Sequence, residues 1–437
     1  MIQEAIVVHG NRQLTGTVGI SGAKNSALKL MAASILAQGE CVIRNVPIIS
    51  DIEIMAEVIQ GLGATLGRNG HIDRDEHVVT IDTSTLSSYE APYELVSKMR
   101  ASIEVLGPLI GRFGKAEVAM PGGCPIGSRS IDIHLDGLGA LGANIVLDHG
   151  VLYATTPNGL HGTTINFDFP SVGATDNVVM AAVVAEGTTV IENAAREPEI
   201  VDLCDMLRKM GAKIEGDGTS RIVIEGVPLE SLKPCDHTTI GDRIEAGTFL
   251  VGGALTGGPV TVTGVNPDHL GRPLAALQSA GCDIEIGEDS ITLSRTRPLK
   301  PLEIQTLPYP GFPTDLQAQF MVLCCMTDGK SFVTENIFEN RFMVVSEMSR
   351  MGAQVGIEGH HAMVTGTGHL QGSPVKCSDL RAGAALALAG VIADGTTELH
   401  KIEHIDRGYE DFVGKMTSLG ADVERVGIEV VEEEPVL

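Results

Sequence analysis

Positive charge is scarce in this chain: 31 Lys and Arg stand against 56 Asp and Glu, a net charge of −25. That balance argues against nucleic acid or an anionic membrane as the main partner, since both reward basic surfaces. An anionic small molecule stays possible, provided the few cations are concentrated locally. Long apolar runs are also missing. The longest, Ala382 to Ala393, is about a dozen residues, short of the eighteen or so that span a bilayer. The first residues carry Glu4 and no basic-then-apolar leader, so no secretory signal is expected. The eight cysteines are scattered, without a C-x-x-C pair or His/Cys clustering. Neither a zinc site nor a disulfide framework is supported, and a reducing, cytoplasmic setting is expected. There is no Walker-type Gly-x-x-x-x-Gly-Lys-Ser/Thr. Nor does a Gly-x-Gly-x-x-Gly follow a strand with an acidic residue in place, so kinase and dehydrogenase readings fall away. Tryptophan is absent while glycine numbers 52, the composition of a soluble, turn-rich protein long enough for two or three domains.

What the chain does have is a repeat. Six times a helix-like stretch ends in one signature: Leu62-Gly63-Ala64, Leu141-Gly142-Ala143, Met210-Gly211-Ala212, Ala280-Gly281-Cys282, Met351-Gly352-Ala353 and Leu419-Gly420-Ala421. The glycines are spaced 79, 69, 70, 71 and 68 residues apart. So regular a period means one supersecondary unit repeated six times, each nearly a small domain. In the third copy a helix from about Thr175 to Ala185 ends at Gly187, and a strand Thr188–Ile191 follows. A loop leads to a second helix, Glu199 to Met210, and then to strand with acidic turns from Lys213 to Ile224. Glycine just past each helix fits a left-handed cap, and the β-branched runs fit strands. Six helix–strand units give an α/β protein, closed as one ring or as two groups of three. The second unit alone is long, and its extra residues fall in Pro121-Gly122-Gly123-Cys124-Pro125-Ile126-Gly127-Ser128-Arg129, a loop able to bring backbone close to a ligand.

The residues that break the repeat are the informative ones. The first helix of each unit ends at Gly39, Gly114, Gly187, Gly257, Gly329 or Gly395; fourteen or fifteen residues earlier lie Lys24, Arg100, Gly173, Arg243, Asp315 and Arg381. Cations at a helix start oppose the macrodipole, so stability alone does not select them. Any one is explained as a surface arginine. Four at one address point to an anion site made of helix dipoles and fixed cations. A second address, the loop into the second helix, carries Arg129, Arg341 and Arg407. The ligand these suggest has several negative groups, such as phosphates with a carboxylate. Cys124 precedes Arg129 by five residues, and nearby cations acidify a thiol. Asp315, the one anion at the first address, is either a base or hydroxyl acceptor, or a helix N-cap in Pro313-Thr314-Asp315. A Cys/His pairing of Cys124 with His134 lacks any third triad member.

The sequence resembles the enolpyruvyl transferase (EPSP synthase) family over nearly its whole length. The resemblance rests on Ser21-Gly22-Ala23-Lys24-Asn25, Pro121 through Arg129, Ser171-Val172-Gly173-Ala174-Thr175, Glu192 through Glu199 and Asp242-Arg243-Ile244-Glu245. It extends through Phe312-Pro313-Thr314-Asp315 with Gln317-Ala318-Gln319, Glu339-Asn340-Arg341-Phe342, and His404 through Tyr409. The fold it implies is a two-domain inside-out α/β barrel, six βαβαββ repeats in two groups of three. One domain would take residues 24–240 and the other 1–23 plus 241–437, with the active site in the cleft between them and hinges at the crossings. The implied reaction moves the enolpyruvyl group of phosphoenolpyruvate to the 3-hydroxyl of UDP-N-acetylglucosamine and releases phosphate, the first committed step of bacterial peptidoglycan synthesis. It needs an acid, a base and strong anion binding, with no metal or other cofactor.

By the same resemblance Cys124 is the proton donor, Asp315 takes the hydroxyl proton, and Lys24, Arg129 and Arg407 grip the phosphate of phosphoenolpyruvate. Arg341, Arg381 and Arg407 hold its carboxylate, and Asn25 touches both substrates. Arg100, Arg129, Ser130, Ile131, Asp132, Ile133, Ser171, Val172, Gly173, Asp315 and Ile337 serve the nucleotide sugar. Some family members carry lysine where this chain has Phe169, so a diphosphate contact there falls to backbone or Arg129. Cysteine rather than aspartate at 124 implies inactivation by the epoxide fosfomycin. Two rivals stand beside this: a sister transferase acting on shikimate 3-phosphate, and an idle paralogue that only binds the sugar nucleotide.

Overall fold

The computed structural model describes residues 2–67, 72–122, 126–127 and 130–429. The chain divides into two compact units. One holds residues 2–20, 126–127 and 242–429; the other holds 21–67, 72–122 and 130–241. Each has its own apolar core, and each contains three small sheets.

The third repeat shows how a unit is built. Strand Thr164–Asn166 leads into helix Val172–Ala182, then to strand Thr188–Glu192, which pairs with the first in parallel. Helix Pro198–Met210 follows, then the hairpin Lys213–Glu215 and Arg221–Glu225, whose second strand lies antiparallel to Thr188–Glu192. The order is strand, helix, strand, helix, strand, strand. The helix starts three residues before the sequence suggested because Ser171 caps it, its side chain accepting from Ala174 N. The acidic turns expected between Lys213 and Ile224 fall around Gly216 and Gly218, both at positive φ. All twelve repeat glycines have positive φ, from +68° at Gly114 to +129° at Gly329. That backbone ends each helix and admits a side chain only with strain.

Strand residues alternate buried and exposed, as in Lys330–Thr334, so each sheet buries one face. The first helices of the repeats are instead apolar nearly all round and buried on every side, as in Arg243–Thr256, Gln317–Cys325 and Leu380–Ile392. These three pack against one another. Packing of that kind brings their first turns together, and the first turns carry the addresses singled out above.

In three of the sheets the repeat is completed across the sequence, in one of them by strand Ile2–His9, which lies antiparallel between Thr396–His400 and Asp422–Glu429. Strand Asp236–Thr238, at the end of its unit, pairs in parallel with Glu40–Arg44 at the beginning. Strand Gly16–Gly19 likewise pairs with Val260–Thr263. No helix among the described residues is long and apolar enough to cross a membrane.

Candidate active site

In the unit formed by 2–20 and 242–429, Asp315 sits within a short 3-10 turn, Thr314–Leu316, and does not cap it. Its carboxylate instead receives two guanidinium groups. Arg341 donates from Nη2 to Oδ1 at 3.1 Å, and Arg381 donates from Nη2 to Oδ2 at 3.2 Å. Arg341 is 4% exposed and Arg381 2%, whereas the Asp315 side chain keeps 25%. Nε and Nη1 of Arg381 are buried with no hydrogen-bond partner among the described residues. Burial opposes the Arg381 charge, and Tyr409, Asp315 and Asp242 more than offset it. The guanidinium carbon lies 5.3 Å from the centroid of the Tyr409 ring. Two buried cations, one half-open carboxylate and spare donors make a site that takes an anion with a planar oxygen pair.

A neutral network lies one turn deeper. Gln319 donates from Nε2 to Thr248 Oγ1 at 3.0 Å, Tyr409 OH at 3.3 Å and the Asp315 carbonyl at 3.1 Å. Thr248 and Tyr409 hydroxyls are 2.9 Å apart. Burial raises the Tyr409 phenol above its ordinary range, so it stays protonated. The Gln-x-Gln spacing after Asp315 was visible in the sequence; the partnership with Tyr409, ninety residues on, was not.

The expected helix dipoles take another part. Asp242 Oδ1 accepts from the amides of Ile244 and Glu245, and Asp379 Oδ1 from those of Arg381 and Ala382. At these two starts carboxylates occupy first-turn amides, whereas the helix opened by Lys24 has no side-chain cap. Arg243 is buried with its guanidinium carbon 5.5 Å from the Tyr309 ring. Arg407 is half-buried at the end of the turn Glu403–Asp406. Ile337 is half-buried, its amide donating to Glu335 Oε1 at 2.8 Å.

In the other unit Lys24 opens helix Lys24–Ala33, is 8% exposed, and lies 2.7 Å from Asp51 Oδ2. Asp51 is a partner that sequence spacing did not suggest. Asn25 beside it is half-buried. Arg100 starts the 3-10 turn Arg100–Val105, and burial lowers its pKa. Ser130 and Asp132 are exposed, Ile131 is buried, and Ile133 is half-buried around the start of helix Asp132–Ala140. Ser171, Val172 and Gly173 form the half-buried start of helix Val172–Ala182. Gly173 has a steric reason: a Cβ there would lie 2.9 Å from both Glu104 Oε1 and His134 Cε1. Phe169 is exposed. Cys124 and Arg129 lie outside the described residues.

Behind these positions is a buried polar cluster that the sequence did not announce. Lys29 Nζ and Asp176 Oδ2 are 2.8 Å apart, both essentially without exposure. Glu104 joins them, its Oε2 buried with no hydrogen-bond partner among the described residues. Burial pushes Asp176 up to about 6 and Glu104 well above the carboxylate range. Asn177 ties the cluster to its neighbours. Its Oδ1 accepts from Gly107 N at 2.7 Å, and its Nδ2 faces the Ile103 carbonyl at 3.1 Å and His134 Nδ1 at 3.0 Å. Burial, then Arg100, lowers His134 to about 4, so it is neutral at pH 7.

Comparison with known proteins gives a consistent picture. A family profile described as EPSP synthase (3-phosphoshikimate 1-carboxyvinyltransferase) matches residues 8–416. The chain is 52% identical over 425 residues to a UDP-N-acetylglucosamine 1-carboxyvinyltransferase 2 of Carboxydothermus hydrogenoformans, covering 97% of this chain and 99% of that one. It is 50% identical over 423 residues to the protein of the same name in Staphylococcus saprophyticus, with the same coverage. Among solved structures, the enolpyruvyl transferase NikO from Streptomyces tendae superposes with a TM-score of 0.88 at 28% identity, covering 98% of this chain and 100% of that one. An EPSP synthase from Acinetobacter baumannii shares the fold, with a TM-score of 0.74 at 17% identity over 97% of this chain and 100% of that one.

Proposed function

The chain belongs to the EPSP synthase (3-phosphoshikimate 1-carboxyvinyltransferase) family, and we propose that it transfers the enolpyruvyl group of phosphoenolpyruvate to the 3-hydroxyl of UDP-N-acetylglucosamine. It is a carboxyvinyltransferase of peptidoglycan synthesis, acting in the cytoplasm. The observation that carries this reading is identity of about one half, over 97% of the chain, to proteins named for that reaction. The Asp315–Arg341–Arg381 arrangement supports it, because it supplies a base beside two buried cations with donors to spare. The two units, with three sheets each, are proposed as the halves of an inside-out α/β barrel.

Each role follows from the charge that the reaction develops. Arg341 and Arg381 take the carboxylate of phosphoenolpyruvate, with Arg407 reaching carboxylate and phosphate. Lys24 and Arg129 take the phosphate, and Asn25 touches both substrates. Arg100, Ser130 to Ile133, Ser171 to Gly173 and Ile337 receive the nucleotide sugar. Cys124 gives a proton to the methylene carbon while Asp315 accepts the proton of the attacking hydroxyl. The new C–O bond forms at C2, giving a tetrahedral adduct. Loss of a methyl proton and of phosphate then restores the double bond.

Phosphate release measured with phosphoenolpyruvate plus UDP-N-acetylglucosamine tests the assignment. Turnover is expected with that pair and not when shikimate 3-phosphate replaces the nucleotide sugar. The reverse preference would move the chain to the sister activity, and no release with either acceptor would leave a binding protein. Fosfomycin is expected to abolish turnover with a matching mass gain on the peptide containing Cys124. Full activity after long exposure, with Cys124 unmodified, contradicts the role given to that thiol.

A further inference from the structure

We propose that Cys41 and Cys235 are a redox-active dithiol, which a hydroperoxide converts to a disulfide fastening the two ends of their unit together. The two lie 194 residues apart in sequence, so no spacing rule joins them. The fold does. Asp236 pairs with Val42 in a parallel ladder, which sets Cys235 beside Cys41 on the same face, and Val42 N donates to the Cys235 carbonyl at 2.9 Å. Neighbouring Cα atoms in such a ladder are about 4.8 Å apart, inside the range that a disulfide bridges without backbone movement. The two thiols also interact directly.

Access and acidity are divided between them. Cys235 is partly exposed, so a small oxidant reaches it, whereas Cys41 has no exposed surface. Contact with Cys235 draws the Cys41 thiol below its ordinary range against the effect of burial. The same contact, with burial, pushes the Cys235 thiol up, so acidity sits with Cys41 and access with Cys235. The chemistry follows in two balanced steps. The Cys235 sulfur attacks a peroxide oxygen, the O–O bond breaks, and one water (or alcohol) leaves as the sulfenic acid forms. The Cys41 sulfur then attacks that sulfur, displacing hydroxide, which takes the Cys41 proton and leaves as water. Two thiols lose two electrons, and the peroxide gains them.

The position gives the bond a purpose. Strand Asp236–Thr238 is the piece that the end of the unit lends to its beginning, and it is held by a short ladder. Beyond it Thr239 N donates to the Arg44 carbonyl, and Ala23 N to the Ile240 carbonyl, immediately before Lys24. A covalent link at the base of this ladder keeps the borrowed strand, and the approach to Lys24, in place when the protein is oxidised.

The test uses the full chain, freed of reductant and exposed to hydrogen peroxide, then alkylated and digested without reduction. The expected product is one cross-linked peptide pair joining Cys41 to Cys235, reversed by dithiothreitol. Oxidation should raise the unfolding temperature by roughly 5–10 °C, a gain that Cys41→Ser and Cys235→Ser each lose. Both variants should release phosphate at the unoxidised wild-type rate. Alkylation of both thiols after peroxide, Cys235 found only as sulfinic or sulfonic acid, or a bridge from Cys235 to another cysteine would each overturn the proposal. Oxidation of Cys124 is read separately in the same digest.

Discussion

Replacing Asp315 by asparagine is expected to lower kcat by roughly 10²- to 10⁴-fold, the range that a positioned general base supplies. The distinguishing result is the split between rate and affinity. Asp315 is the only carboxylate accepting from Arg341 and Arg381 in the hydrogen bonds described. With it ionised, the three groups carry one net positive charge; neutral asparagine raises that to two. An anion entering between the arginines therefore meets a stronger field, and KM for phosphoenolpyruvate should hold or fall while kcat collapses. A purely structural role predicts the opposite, a loss of binding with the loss of rate. The free variant should also unfold at a lower temperature, because two buried guanidinium groups have lost their counter-ion. Phosphoenolpyruvate should restore much of that loss by binding the folded form alone. A kcat within threefold of wild type would remove Asp315 from the proton path.

The repeats were legible because they rest on local rules. The glycines that end helices are glycines because the backbone there has positive φ, and their spacing can be counted without coordinates. Helix starts were legible for a related reason: Lys24, Arg243 and Arg381 stand at or next to the first residue of their helices. The use of those starts was less legible. Dipoles and fixed cations together were expected to bind the anion, yet at two of the starts Asp242 and Asp379 occupy the amides, an arrangement that Asp-Arg and Asp-Leu-Arg spell only once capping is considered. Partners distant in sequence were invisible: Asp51 for Lys24, Tyr409 for Gln319, Cys235 for Cys41. Each joins stretches between 27 and 194 residues apart, and which of many candidates meets which is decided by sheet register and helix packing.

The two units fill corresponding interiors differently, and from this comes the largest stability effect expected. One turn beyond the helix starts, the unit of 2–20 and 242–429 places Thr248 and Gln319, which with Tyr409 form a neutral network of hydroxyl and amide hydrogen bonds that leaves only Gln319 Oε1 without a partner among these groups. At the same depth the other unit places Lys29, Glu104 and Asp176, one base among two acids with almost no exposure. Lys29 keeps its charge because Asp176, Glu104 and Glu199 outweigh burial. Lys29→Met leaves the acids buried without a counter-charge, and about 3–5 kcal/mol of stability should be lost, near 10 °C in unfolding temperature for a unit of this size. The loss should depend on pH with a definite sign. Asp176 already titrates near 6 when folded, against 3.8 in an open chain, so between those values the folded state holds the extra proton and stability falls as pH rises. Without Lys29 the folded value climbs further, extending the falling limb to higher pH. The variant should therefore be most damaged at pH 8 and partly recover at pH 5.5. His134 works in the other direction, because its folded value near 4 lies below the ordinary 6.5 and its contribution is lost as pH falls through that interval. Because His134 is left in place in both proteins, its term should largely cancel when variant and wild type are compared at each pH. Calorimetric unfolding at both pH values reads the difference, and Lys29→Met with Asp176→Leu should recover more than half of the loss. A deficit equal at pH 5.5 and 8 would mean that packing of the lysine stem, not its charge, holds this interior together.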